Sequence, residues 1–179
     1  MSDLKETFKA FDESVLELIV SEAEKVIESQ LRSAEVADRR ATAYATASSA
    51  TAVAAASVLA NAYQNIGLFG AVALVTLVGF CVISAIFALL ALRPGKIRSP
   101  GYSPDKWKEM SKKAGKVTIL ATIADQLNNR IIDNEKINSD RSDLCNYSFT
   151  FLILAFLSSI VIYILSLTFV IMARLLTGG

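Results

Sequence analysis

The chain has 179 residues, of which 53% are hydrophobic, and its net charge of +1 hides a segregation of charge. Residues 1–40 carry 6 basic and 10 acidic side chains, whereas residues 93–116 carry 8 basic and 2 acidic ones. There is no His, which removes the commonest metal ligand and the usual general base near neutral pH. Cys81 and Cys145 are spaced neither as a zinc site nor as a disulfide framework, so we expect no metal and no cofactor.

Two long runs without any charged residue predict membrane-spanning helices. Residues 41–92 form an uncharged run of 52 positions, and residues 144–173 form another of 30. Because a helix needs about 20 apolar residues to cross the hydrocarbon core, the first run is long enough for two crossings and the second for one. The sequence therefore predicts an all-α integral membrane protein with three transmembrane helices.

The segment before the first span, residues 1–40, predicts a cytosolic amphipathic helix running over residues 3–40 and capped by Ser2 or Asp3. Its large apolar residues recur mostly in steps of four and three: Leu4, Phe8, Phe11, Val15 and Leu18, then Ile19, Val26, Ile27 and Leu31. This stripe favours packing against a partner helix. The acidic character of the segment disfavours binding along a membrane surface.

The first uncharged run divides into two spans with different compositions. Span one, residues 41–62, is rich in Ala, Ser and Thr, whereas span two, residues 66–92, is strongly apolar. The link of three residues between them predicts an antiparallel hairpin. Four hydroxyl side chains lie along one face of span one, and this face is either a packing seam or the polar lining of a pore: Thr42, Thr46, Ser49 and Ser57.

The segment between spans two and three, residues 93–146, predicts a basic loop followed by a cytosolic helix. The helix is expected to begin near Pro104 and to break or bend at Gly115. Its later part carries an apolar stripe and continues without a breaker into span three, residues 147–173, which leaves residues 174–179 as a tail. The stripe consists of Leu120, Ile123, Ala124, Leu127, Ile131 and Ile137.

Basic residues next to the spans predict the orientation of the chain. Cytoplasmic flanks are enriched in Lys and Arg, and five basic residues flank the hairpin on one side: Arg39, Arg40, Arg93, Lys96 and Arg98. We therefore expect a cytoplasmic N-terminus and a C-terminus on the outer side of the membrane.

No catalytic constellation or phosphate-binding glycine loop is visible in the sequence, so we expect no enzymatic activity. The densest concentration of charge follows span two and contains Arg93, Lys96, Arg98, Lys106, Lys108, Lys112, Lys113 and Lys116. These residues either rest on anionic lipid headgroups or bind a phosphate-bearing ligand, for which Arg93, Lys96, Arg98, Lys112, Lys113 and Lys116 are the candidates. We expect no nucleic-acid partner.

Three short motifs, taken in order, resemble the transmembrane effectors of bacterial Pycsar anti-phage systems. The sequence Asp38-Arg39-Arg40-Ala41 is similar to that family's Asp-x-Lys-Ala, with Arg40 in the lysine position. Leu92-Arg93-Pro94 is similar to the end of its second span. Residues 123–148, including Ile137 and Arg141, resemble its polar helix before a third apolar run. The neighbouring SLATT-type membrane effectors are the alternative family.

The resemblance implies a bacterial inner-membrane effector that responds to a cyclic nucleotide made on infection and then impairs membrane integrity. The partners expected on this basis are the lipid bilayer, further copies of the chain and a cyclic nucleotide. Two alternatives stay open from the sequence: a structural or accessory membrane subunit that docks a soluble partner, and a holin-like pore protein without a nucleotide ligand. The ligand, the oligomer number and the mode of membrane damage are not encoded in any recognisable motif.

Overall fold

The computed structural model describes Phe8 and residues 10–62, 66–93 and 115–177, and this part of the chain is helical without strands. The helices are α1, Glu13–Ala62, α2, Leu68–Ala91, and α3, Lys116–Thr177. All three are long and apolar enough to cross a membrane. The predicted all-α class with three candidate spans is confirmed.

Helix α1 begins later than the predicted amphipathic helix. The N–H of Phe11 donates to the carbonyl of Phe8 in a turn, and the carbonyl of Asp12 accepts the N–H of Leu16 as the first bond of the helix. Asp is one of the residues preferred at this N-terminal capping position. An uninterrupted helix from residue 3 is therefore wrong, and its expected caps, Ser2 and Asp3, lie outside the described residues.

Helix α3 is a single element of 62 residues. The carbonyl of Gly115 accepts the N–H of Ile119, and the helix starts at Lys116. The predicted break or bend at Gly115 stays a prediction, because the residues directly before Gly115 lie outside the described ranges. The expected start near Pro104 lies outside the described residues. As predicted, no interruption separates the polar helix from span three. The helix continues through Thr177, so most of the predicted tail is helical.

Helix α2 lies within the predicted second span and is shorter by two residues at its start and one at its end. Gly67 precedes it with a φ of 24°, in the left-handed region that favours glycine. The chain leaves the helix at Leu92, whose N–H donates to the carbonyl of Ala88. The predicted link of residues 63–65 lies outside the described residues.

The chain folds into two compact units, and α1 and α3 each contribute to both. We call Met1–Val36 with Pro94–Asp140 the helix-pair unit, and Ala37–Arg93 with Arg141–Gly179 the three-helix unit.

In the helix-pair unit, α1 and α3 run in the same direction around a small apolar core. Ile27 packs with Ile123 and Leu127, all three of which are buried. Two side-chain amides add polar contacts to this interface. Gln30 donates to the carbonyl of Ile131, and Asn138 donates to the carbonyl of Gln30, both at 3.0 Å.

The face of α1 that packs in this unit differs from the predicted stripe. Leu16, Ile27 and Ala34 are buried, with half-buried residues at steps of four and three between them: Val20, Ala23 and Gln30. Phe11 and Leu18 of the predicted stripe are instead 41% and 61% exposed. The predicted stripe is therefore confirmed at Ile27 and Leu31, which pack in this core, and wrong at Phe11 and Leu18, because it followed only the large apolar residues. The packed face includes small and polar side chains that fit the close approach of α3.

In the three-helix unit, α2 runs antiparallel to α1 and α3. At one end Ala41, Ala91 and Cys145 form a buried cluster with one residue from each helix. Further along, aromatic rings of α2 and α3 stack, including Phe87 with Phe151 at a centroid distance of 5.4 Å. The contacts between α1 and α2 agree with the antiparallel arrangement that the hairpin prediction requires, while the hairpin across the membrane stays a prediction.

Candidate functional site

Three buried serines, one from each helix, form a hydrogen-bonded layer in the three-helix unit. The hydroxyls of Ser48 and Ser84 lie 2.8 Å apart, and the Ser84 hydroxyl is 2.8 Å from the carbonyl of Ser148. In return, the Ser148 hydroxyl donates to the carbonyl of Ser84 at 2.9 Å. All three residues are fully buried. Because hydroxyl groups that bond across helices favour helix association in hydrocarbon, this layer stabilises the packing of the three helices against one another.

A second polar contact joins α1, α3 and Arg93, the second residue after the end of α2. Arg141 of α3 donates from Nη1 to Oδ1 of Asp38 at 3.2 Å, and from Nη2 to the carbonyl of Arg93 at 2.8 Å. The Arg141 side chain is only 9% exposed, whereas that of Asp38 is 49% exposed. One guanidinium can serve both acceptors because its donors form a rigid planar fork. We call these three residues the Arg141 clasp.

The residues predicted to form a pore or packing face of span one lie on the exposed side of α1: Thr42, Thr46, Ser49 and Ser57. The hydroxyls of Thr42, Thr46 and Ser57 donate to carbonyls one turn earlier in the helix. The serine of α1 that packs against α2 and α3 is Ser48, next to Ser49. The predicted face is thus available to a further partner, and its role as a seam or a pore lining stays a prediction.

Of the six predicted ligand-binding residues, the structure describes two. Lys116 donates to Glu13 at 2.6 Å and forms a second ion pair with Glu17 at 2.7 Å. These hydrogen bonds, that of Glu13 first, raise the pKa of Lys116 above its ordinary value. Arg93 has an exposed side chain, and its carbonyl is held by Arg141.

The remaining candidates lie outside the described residues: Lys96, Arg98, Lys112 and Lys113. Pro94 of the family-like motif lies there too. Within the described ranges, no group of three His, Cys, Asp or Glu side chains could hold a metal ion.

Sequence reasoning missed the residues that carry the internal polar contacts. Ser48 and Ser148 are buried at positions that repeat the steps of four and three seen along each helix, as do Ala41 and Cys145. A search for this spacing among small and polar residues would have found them. Arg141 was noted only as part of a motif. Its position close to the uncharged run of span three was the available signal.

The outer surface of the three-helix unit is dominated by large apolar side chains of α3. Exposed examples include Phe156, Leu157, Ile160, Val161, Ile164 and Leu167. Such a surface suits hydrocarbon rather than water. The fold and this surface define an all-helical membrane protein whose three spans are tied together by buried polar contacts.

A family comparison identifies the class more closely. The family model of the Pycsar effector protein domain, PycTM, matches residues 22–171. The chain therefore belongs to the Pycsar effector family, and it is an anti-phage membrane effector. The matched range contains the Asp38–Ala41 motif, Arg93 and Arg141. No curated protein and no solved structure matches the chain.

Proposed function

We propose that this effector assembles into homo-oligomers in the bacterial inner membrane and impairs the integrity of that membrane when it is activated. It does so without catalysing a reaction. The observation that carries the proposal is the outward face of α1 in the three-helix unit, which consists mainly of small and hydroxyl side chains.

This face is poorly suited to lipid and well suited to another helix. Between residues 42 and 61, most exposed positions are Ala, Ser or Thr, and Val53 and Val58 are the exposed large apolar residues. Small residues let helix backbones approach closely, which is how helices associate where water supplies no hydrophobic driving force. Thr46 and Ser49 lie on this face, so a second copy packed there would cover both.

The helix-pair unit offers a second surface for assembly. Val15 and Leu18 remain exposed in the first turns of α1, and Phe11 remains exposed in the turn that precedes the helix. A partner helix with the same stripe would remove these side chains from water. The alternative function, an accessory subunit that docks a soluble partner, would use this same stripe with a different occupant.

The orientation proposed is the one indicated by the five flanking basic residues, with the N-terminus in the cytoplasm. Impermeant maleimide labelling of spheroplasts tests it in a chain without other cysteines. A cysteine replacing Gln64 should react, and one replacing Gly101 should not. The reverse labelling pattern would place the basic segment outside and contradict the proposal.

The activating signal proposed is a cyclic nucleotide that binds the basic segment after α2. Because Lys116 is already paired with two glutamates, the residues proposed to bind the nucleotide are Arg93, Lys96, Arg98, Lys112 and Lys113. A charge-assisted hydrogen bond contributes about 1.5–3 kcal/mol, so losing one should weaken binding by about 10- to 150-fold.

Binding of cyclic nucleotides to purified wild type and Lys112→Gln/Lys113→Gln tests this site directly. Equal affinity would remove these lysines from it and favour the lipid-headgroup alternative. In that alternative, replacing Arg93 or Arg98 disturbs topology, whereas the double lysine variant behaves as wild type.

Membrane potential measured with a voltage-sensitive dye tests the proposed activity. Cells that express the effector with its activating signal should depolarise, and cells that lack either one should not. A full membrane potential in signal-treated cells with normal effector levels would favour the accessory-subunit alternative.

A further inference from the structure

We propose that the Arg141 clasp is the conformational lock of this effector. It holds the end of α2 against α1 and α3, and activation requires its release. This inference rests on the proposed function, because it concerns how the proposed activity is controlled. The carrying observation is a nearly buried guanidinium that binds one acceptor from each of the two neighbouring segments.

The first step of the argument concerns the end of α2. The last carbonyls of a helix lack partners within the helix and carry partial negative charge, so a cation placed there is favourable. Arg93 is the first residue after the Leu92 cap, and its carbonyl accepts from Arg141 at 2.8 Å. The third helix thus supplies a cation close to the C-terminal end of the second.

The second step concerns the cost of release. The Arg141 side chain is 9% exposed, and a guanidinium group has five N–H donors that need acceptors. If the end of α2 moved away, one set of donors would lose its acceptor in a place that water hardly reaches. Of the two described acceptors, Asp38 would then be the one that still binds Arg141. The described arrangement is therefore favoured until another interaction compensates for that loss.

The third step concerns position along the chain. Arg93 is the first residue of the basic segment, so a displacement of that segment acts first on the carbonyl that Arg141 holds. A ligand can shift this equilibrium only if it prefers the released arrangement. The clasp therefore lies where a displacement of the basic segment would separate the end of α2 from α1 and α3.

Native Cys145 provides a readout of release that does not depend on activity. It is 5% exposed and packed with Ala41 and Ala91, so alkylation by a membrane-permeable maleimide requires the packed cluster to open. In a Cys81→Ala background, Arg141→Gln should raise the alkylation rate of Cys145 by about 10-fold or more, because charge-assisted contacts are lost. Arg141→Lys, which keeps the charge but not the fork, should give an intermediate rate.

Two controls separate release from general unfolding. Arg32→Gln removes an exposed arginine that pairs with Glu28 at 2.6 Å elsewhere on α1, and it should leave the rate unchanged. In a Cys145→Ala background, the alkylation rate of buried Cys81 should be the same whether or not the chain also carries Arg141→Gln. Equal acceleration of both thiols would mean loss of the fold and would contradict the lock, as would an unchanged rate at Cys145.

A disulfide bond between α2 and α3 tests whether release of the clasp is needed for activity. Ala91→Cys places a second thiol in the cluster that contains Cys145, and oxidation should join α2 to α3. The joined protein should lose signal-dependent depolarisation and regain it on reduction, whereas Arg141→Gln should depolarise cells with less signal. Full activity of the joined protein would overturn the lock. If wild type itself never depolarised the membrane while the alkylation rates behaved as expected, the proposed function alone would fail.

Discussion

The outward faces of α1 and α3 in the three-helix unit differ in a way that assigns them different neighbours. Helix α3 presents Leu, Ile, Phe and Val side chains, such as Leu157 at 54% exposure and Ile160 at 55%. Helix α1 presents Ala, Ser and Thr over the corresponding uncharged stretch. Lipid covers large apolar side chains well, whereas small residues are typical of helix–helix contact. The difference supports the proposal that α3 faces lipid and that α1 packs against another copy of the chain.

The largest effect is expected from the helix-pair unit, where α1 and α3 can again be compared as surfaces for assembly. Replacing Phe11, Val15 and Leu18 together by Gln should weaken assembly by about 3 kcal/mol or more, since each loses the burial of a large apolar side chain. Native mass measurement in detergent over a concentration series checks this. The matched control is Ile132→Gln, an exposed apolar residue of α3 at 56% exposure. Equal weakening by the control would show that the α1 stripe has no special role.

A smaller effect is expected from enlarging the small-residue face of α1. Ser49→Leu or Thr46→Leu should push neighbouring helices apart at a cost of about 1–3 kcal/mol and should reduce signal-dependent depolarisation. Leu157→Ala on α3 makes the opposite change in volume on the lipid side and should leave activity intact. Unchanged activity of both α1 variants at normal membrane levels would remove span one from the mechanism.

Substitutions in the serine layer extend the comparison of outward faces to the buried faces of the helices. Ser84→Ala removes the hydroxyl that lies between Ser48 and Ser148 and should destabilise the unit by about 1 kcal/mol. Thr76→Val on the same helix removes a hydroxyl that donates only to the carbonyl of Val72, and it should cost less. Thermal unfolding in detergent measures both. A larger loss for Thr76→Val would show that the layer contributes little.

The smallest effect is expected at Lys116, whose ion pairs with Glu13 and Glu17 are exposed. Exposed pairs are screened by salt and seldom stabilise a fold measurably, so Lys116→Gln should leave the unfolding temperature close to that of wild type. Because the pKa of Lys116 is raised in the folded protein, any contribution of its ion pairs to folding stability is fully present at neutral pH. That contribution is lost only as the pH rises above 10.5, the ordinary pKa of a lysine. A clear stability change near neutral pH would show that this pair does more than an exposed pair should.

The sequence was sufficient for the helices and insufficient for their contacts. Uncharged runs located the spans, because a charge in hydrocarbon is costly whatever the fold. The packed face of α1 was found only in part, at Ile27 and Leu31. Burial there follows the fit to α3, which selects Ala23 and Gln30 as readily as Leu16. The Arg141 clasp joins residues more than 40 positions apart in the chain. Such contacts depend on tertiary packing and have no local pattern.

Cross-linking in native membranes tests most directly the claim that α1 faces another copy and α3 faces lipid. In a chain with Cys81 and Cys145 replaced by Ala, single cysteines are introduced as Ser49→Cys on α1 or as Leu157→Cys on α3. After oxidation, Ser49→Cys should give disulfide-linked dimers, and Leu157→Cys should remain monomeric at the same membrane level. Dimers from Leu157→Cys with none from Ser49→Cys would reverse the assignment of the two faces.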